Sequence, residues 1–301
     1  MSFYQSNPQI YDIYSPSPEP MRSFLSPFIL FVTMVSCSPK APIKTLCRLP
    51  KNINESSGIS INPDGTLWTH NDSGDKPRIY KLDSLGKILQ TLQLRGATAY
   101  DYEDITRDRN GNLYVCDFGN NFNNRRNLCI YKISHAELES GADTVNTDVI
   151  HFNYPDQSQF PPPKKMRNFD CESIVILNDS IFIFSKNRGN SHFSRRYFLP
   201  IKPGTYTAVL IDSVKTRRWI TSAALSPDNK ILILLSENRL NIFTGFTGSH
   251  FFIGKQRSAR ISITQKEGIA FRSNKEIYLT DEVFKGIGGK IYYADISKFI
   301  R

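Results

Sequence analysis

The chain has 301 residues, 40% of them hydrophobic and 12% aromatic, enough to bury a full core, so global disorder is excluded. Thirty-eight Lys and Arg stand against 28 Asp and Glu, a net charge of +10. The basic residues are scattered as pairs (Arg125-Arg126, Lys164-Lys165, Arg195-Arg196, Arg217-Arg218), with no basic helix and no Gly-aromatic RNA signature. That pattern argues for a solvated surface and against nucleic acid as a partner.

In chain order, the first informative stretch begins at Met21 and reads MRSFLSPFILFVTMVSCSPK. One Arg, a short apolar run and small residues before Cys37 make the layout of a secretory signal peptide, too short to span a membrane as a helix. Its ending, MVSC, resembles a bacterial lipobox, in which the Cys becomes the lipidated first residue of the mature protein. The alternative is an ordinary cleavable signal with Cys37 incidental. Residues 1–20 are rich in Ser, Pro and Tyr and would bury the charged start of the signal, so Met21 is the expected true start. The expected organisation is a leader plus lipoprotein signal over 1–37, a short linker over 38–42 and one domain over 43–301. The mature protein is expected in the bacterial cell envelope, on the periplasmic or the surface side, touching the membrane only through its lipid anchor.

Five segments of the rest share one pattern of a polar residue, a short apolar strand, a turn and a second apolar strand. They open at Ser57, Glu103, Glu172, Thr221 and Glu267. The turn begins seven residues after the first position in four of them, at Asp64-Gly65, Asn110-Gly111, Asp228-Asn229 and Asn274-Lys275, and six after it in the third, at Asn178-Asp179. Such pairs between β-branched runs are hairpin chemistry, because Gly and Asn accept positive φ. A third strand follows each hairpin, and a fourth follows in the first four units: ILQTLQL from Ile88, VIHFNY from Val149, AVLID from Ala208 and ARISI from Ala259. The fifth unit ends without its fourth strand, while an unpaired strand, IKTLCRL from Ile43, precedes the first. Supplying that strand to the last unit closes a ring and removes an exposed sheet edge. The expected fold is therefore all-β, a five-bladed β-propeller of four-stranded blades. The second unit is overlong, carrying NNFNNRR from Asn120 and QSQFPPPKKMRN from Gln157, and only SHAELESG from Ser134 reads as a turn of helix.

The four Cys residues after Cys37 include no CxxC pair, which argues against zinc. Cys116 and Cys129 are expected on neighbouring strands, either as a cross-strand disulfide or as buried free thiols.

In a propeller the first strand of each blade lines the channel. Ser57, Glu103, Glu172, Thr221 and Glu267 are thus expected at one level around the axis, with Ser222 competing with Thr221 for the inward place. Three carboxylates and two hydroxyls in a narrow channel need a cation or retained protons. Their oxygen chemistry suits Ca2+, and Mg2+ less well; a water-filled channel is the alternative. The same face gathers His70, Asn71, Asp72, Asp117, Asn120, Lys186, Arg188, Glu237, Asp281 and Glu282 as candidate ligand contacts. Asp72 and Asp117 are the candidate catalytic carboxylates. No GxSxG, HExxH, P-loop or Cys/His pair is present.

Two resemblances rest on these residues. The phrases THNDSGD (69–75), YEDI (102–105), DFGNN, TSAALSPDN and KEGIAF (266–271) recur in order over residues 51–300. In them the chain resembles an uncharacterised family of secreted bacterial β-propeller lipoproteins, which implies the fold and an extracytoplasmic place. More distantly, the order Ser57, Glu103, Glu172, Thr221 or Ser222, Glu267, with EGIAF, resembles the channel of calcium-activated nucleotidases (soluble apyrases), five-bladed propellers. That likeness implies Ca2+ more than nucleotide hydrolysis. Three functions compete. The first is a monomeric envelope propeller that holds a cation and binds a small anionic ligand, a glycan or an envelope protein. The second is a Ca2+-dependent phosphoanhydride or phosphoester hydrolase. The third is a metal-dependent lactonase or esterase.

Overall fold

The computed structural model describes residues 39–189, 192–216 and 218–301; the leader, the signal segment and Cys37 lie outside the described residues. The first strand, β1 (Lys44–Arg48), precedes five successive β-meanders. Blade one is β2 (Ser56–Ile61), β3 (Leu67–Asn71), β4 (Arg78–Leu82) and β5 (Ile88–Arg95). Blade two opens with β6 (Tyr102–Arg107), β7 (Leu113–Asp117) and β8 (Cys129–Ile133). A single helical turn, α1 (His135–Leu138), capped by the Ser134 side chain, leads to β9 (Thr144–Asn146) and β10 (Asp148–Asn153). Blade three holds β11 (Asp170–Leu177), β12 (Ser180–Lys186), β13 (Phe193–Pro200), β14 (Gly204–Thr207) and β15 (Val209–Lys215). Blade four is β16 (Ser222–Leu225), β17 (Ile231–Ser236), β18 (Arg239–Thr244) and β19 (Lys255–Arg260). Blade five is β20 (Lys266–Ser273), β21 (Glu276–Asp281) and β22 (Lys290–Asp295).

Ring closure follows the expectation. β1 pairs antiparallel with β22, so the chain's beginning completes the last sheet. The inner strands neighbour one another in the order β2, β6, β11, β16, β20 and back to β2. Burial tells the same story: five separate apolar clusters exist, one in each seam between adjacent blades. An open array of five sheets has four seams. The fifth, where Ile59, Leu67 and Tyr80 of blade one meet Ala270 and Ile291 of blade five, exists because the ring is shut. The structure is thus an all-β, five-bladed β-propeller.

Three features lay beyond the pattern. β9 adds in parallel to β5, and β14 adds in parallel to β10, so two sheets have five strands, the extra one borrowed from the following blade's connection. Alternation marks a strand but does not name the neighbour it joins. Residues 39–41, read as linker, pair with Arg260 through a parallel bridge and two backbone hydrogen bonds, and Ala41 is buried in the seam of blades four and five. The outer strand of blade four starts at Lys255, four residues ahead of ARISI.

Cys116 and Cys129 are free thiols. They sit on adjacent strands, but Cys116 packs in the seam of blades two and three, and Cys129 in the seam of blades one and two. Side chains on opposite faces of one sheet cannot bond.

Candidate cation site at the channel mouth

Each inner strand begins with a fault in its ladder. The pairing slips between Ser56 and Gly58, between Tyr102 and Asp104, between Cys171 and Ser173, and between Lys266 and Gly268. The skipped residues are Ser57, Glu103, Glu172 and Glu267, all at the repeat's first position. In blade four both Thr221 and Ser222 face Leu235, so the same fault recurs. A bulged residue is released from the ladder and re-aimed. This device turns four of the five side chains to the axis.

Ser57, Glu103, Glu172 and Glu267 line one cavity of about 210 Å³ at the channel mouth, with Asp72, Asn121, Lys186, Arg188, Gln265 and Glu282. Blade four is the exception. Thr221 donates its hydroxyl to the Lys266 carbonyl at 2.7 Å, and Ser222 donates to Asp104 Oδ1 at 3.2 Å. Ser57 Oγ likewise donates to the Glu103 carbonyl at 3.1 Å. The hydroxyls at the repeat's first position therefore tie neighbouring blades, while the carboxylates face the cavity. Below the cavity, Asp104 accepts from Ile174 N at 3.0 Å as well as from Ser222, joining blades two, three and four. The inner strands close tightly there: a Cβ on Gly58 would stand 2.8 Å from Ile105 N.

The remaining candidates divide by alternation. Asp72, Lys186 and Glu282, each just beyond or at the end of a second strand, line the cavity. The residue one place before the first and last of these serves the blade. Asn71 binds Asp75 at 2.8 Å and the Asn52 carbonyl at 2.9 Å; Asp281 accepts from Tyr292 at 2.6 Å. Asp117 is fully buried, ion-paired to Arg125 at 2.7 Å, and accepts from Thr98 and from the Tyr100 and Asp101 amides. It lies outside the cavity and has no free oxygen to offer a ligand. Asn120 is buried in its loop, its amide N–H bound to Asp170 and its side chain to Phe169. His70 is buried edge-on to Tyr102, with burial lowering its pKa to about 4. Glu237 is exposed in the β17–β18 turn, away from the cavity.

Two acidic residues missing from the expected set complete the site. Asp72, Asp101 and Glu103 can bring three carboxylate oxygens within 4.8 Å of one another, and so can Glu103, Asp170 and Glu172. Asp101 and Asp170 stand two residues before Glu103 and Glu172, Asp170 as the first residue of β11 and Asp101 just ahead of β6. The corresponding residues elsewhere are Glu55, Trp219 and Gln265; of these, Gln265 donates to Glu282, and the Trp219 ring lies 5.3 Å from the Arg188 guanidinium and 5.8 Å from Lys186 Nζ. Gly119 makes the packing feasible, since a Cβ there would collide with the Glu103 and Asp101 carboxylates.

The two trios are compensated differently. Glu172 is ion-paired to Lys186 and lies 3.3 Å from Arg188, and Arg188 also pairs with Asp170 and hydrogen-bonds Asn121. No basic side chain among the described residues pairs with Asp72, Asp101 or Glu103. Glu267 is 6% exposed and its Oε2 has no hydrogen-bond partner, nor has Asp72 Oδ1. Burial, then the neighbouring carboxylates, drives Asp72 up to about 9 and holds Glu103 well above the usual carboxylate range; burial does the same to Glu267. Glu172 is raised only to about 7, because Lys186 opposes its burial. Buried oxygens without partners are rare and expensive. A hard divalent cation, with its preference for several oxygen ligands, fits this donor set, which contains neither nitrogen nor sulfur.

No protein-family model matches the chain, and no curated protein matches it. Solved structures do. The PQQ-bound aldose sugar dehydrogenase of Streptomyces coelicolor shares 11% identity, with 86% of this chain and 99% of that one covered, at a TM-score of 0.50. A gluconolactonase of Xanthomonas campestris shares 8% identity over 86% and 87% of the two chains, at a TM-score of 0.47. No helix among the described residues is long and apolar enough to cross a membrane. At identities this low the likeness is one of fold alone, and what the chain shares with these proteins is the β-propeller.

Proposed function

We propose that this propeller holds a divalent cation, Ca2+ ahead of Mg2+, at its channel mouth and uses it to bind a small anionic ligand. The ligand is a free anion, an acidic glycan or an acidic group on an envelope protein, met by a lipid-anchored monomer in the bacterial envelope. The observation that carries the reading is the half of the site without an ion pair: Asp72, Asp101, Glu103 and Glu267, buried or half-buried carboxylates of which two keep a buried oxygen without a partner. Glu103, Asp72, Asp101 and Glu267 would hold the ion. The bound ion supplies positive charge for an anion, and Lys186 and Arg188, on the other side of the same cavity, flank it. A cavity of about 210 Å³ is below the roughly 300–1,000 Å³ of small-molecule sites, which suits an ion with an anionic head group. Calorimetric titration of residues 38–301 with CaCl2 and MgCl2 tests it. Saturable Ca2+ uptake at one site, absent in Glu103→Gln, is expected; no uptake at millimolar Ca2+ overturns it.

The hydrolase reading retains one supporting observation. Asp72 and Asp101 can bring carboxylate oxygens within 4.8 Å of each other, and burial raises both, a carboxyl pair able to share a proton beside the ion. Phosphate release from nucleoside di- and triphosphates, dependent on Ca2+ and lost in Asp72→Asn, would establish turnover; uptake of Ca2+ without release leaves a binding protein.

A further inference from the structure

The second blade breaks the repeat twice, at 120–126 and at 157–168, and the channel site uses only Asn121 from these insertions. The structure brings them together. Gln157 Nε2 donates to the Asn123 carbonyl at 2.8 Å. Asn123 is buried, with φ at 55°, and its side chain donates to the Asn120 carbonyl and accepts from Phe169 N, both within 3.0 Å. The loops are therefore tied by hydrogen bonds at a common point, which is how a rigid site is built from connecting segments.

Between them lies a cavity of about 420 Å³, separate from the channel, whose lining includes Arg126, Phe160, Phe152, Tyr154, Asn153 and Thr207. That volume falls within the roughly 300–1,000 Å³ of small-molecule pockets. Two arginines line it and no acidic residue does. Arg125 is neutralised by Asp117. Arg126 has no ion pair with any described residue; its guanidinium carbon rests 3.7 Å from the centre of the Phe160 ring. Stacking occupies the face of a guanidinium and leaves its in-plane N–H groups, the ones that grip a carboxylate in two parallel hydrogen bonds. Phe152 and Tyr154 add buried aromatic lining, and the exposed residues Asn153 and Thr207 add polar lining.

We infer that this pocket is a second ligand site, for an organic carboxylate with an apolar or aromatic body, gripped by Arg126. It is independent of the channel cation. The test uses phenylacetate, its neutral isostere phenylacetamide and phenyl phosphate, titrated into isotopically labelled protein and followed by NMR. The expected result is saturable binding of phenylacetate with shifts at Thr207, Asn153 and Phe160, at least tenfold weaker binding of phenylacetamide, and at least a tenfold loss in Arg126→Gln. Arg126 is exposed, so that variant should melt where the parent does. Glu103→Gln should leave phenylacetate binding unchanged. Equal binding of the amide, undiminished binding in Arg126→Gln, or no saturation by 20 mM phenylacetate (roughly the weak limit of a specific small-molecule site) overturns the assignment. Phenyl phosphate binding more tightly than phenylacetate replaces the carboxylate with a phosphate ester and overturns the stated class.

Discussion

The two halves of the channel mouth hold similar acids under opposite conditions. On the side of blade three, Asp170 and Glu172 are buried against Lys186 and Arg188, so the chain supplies its own cations. On the side of blades one and two, Asp72, Asp101 and Glu103 are gathered with no basic partner, and Glu267 of blade five faces the same space with a bare oxygen. The contrast shows that acid density alone does not define a cation site: where the protein has neutralised itself, a metal has little to gain. It also moves the proposed ion off the five-fold axis, towards the side of the mouth away from Lys186.

The sharpest way to break this comparison is to remove the internal cation. Lys186→Met leaves Glu172 buried without its closest partner, and in EDTA the protein should lose about 3–5 kcal/mol of stability, read by denaturant melting. If Ca2+ restores most of that loss, the ion has replaced the ammonium; an unaltered melting curve would show that the lysine compensates nothing.

The opposite half is probed by Glu103→Gln and Gly119→Ala, the latter forcing a methyl group against the Glu103 and Asp101 carboxylates. At a hundredfold excess over its dissociation constant, Ca2+ should stabilise the parent by about 2.7 kcal/mol, or about 5–10 °C in melting temperature. Both variants should lose that shift. Retention of the full shift in Glu103→Gln would place the ion elsewhere.

A comparable effect concerns pH. Asp72, near 9, and Glu172 and Glu282, near 7, have folded-state values raised above those of the unfolded chain, so their contribution is complete at low pH and disappears as pH rises through those values. His70, lowered to about 4, works in the opposite direction but only below about 6.5. Between about pH 6.5 and 8 the protein in EDTA should therefore lose about 1.5–3 kcal/mol per pH unit, most steeply at the lower end, and saturating Ca2+ should flatten the slope. A flat profile in EDTA would mean that these carboxyls ionise freely. The smallest effect is expected from Trp219→Ala, which removes the ring beside Arg188 and Lys186: about 0.5–1 kcal/mol, with the Ca2+ shift intact.

The repeat made much of the site legible. Ser57, Glu103, Glu172 and Glu267 share one position in the period and one cavity in the fold. Asp101 and Asp170 were readable by the same means, since each precedes its glutamate by two residues. They were missed because the repeat was started two residues too late. The rim was less legible. Asp72 and Asp117 look alike as acidic residues after a strand, yet one enters the cavity and the other is held by Arg125 inside its blade. A displacement of one place reverses the face of a strand, and loop composition does not record it.

Sequence alone determined the five hairpin units, their order and the closing role of the first strand, because strand alternation and turn chemistry act over a few neighbouring residues. Tertiary structure alone decided which acids meet a lysine, which hydroxyls serve as ties between blades, and that two irregular loops of the second blade enclose a pocket. Those outcomes depend on residues up to 118 positions apart, as in the Ser222–Asp104 contact, whose meeting is fixed only when the ring shuts.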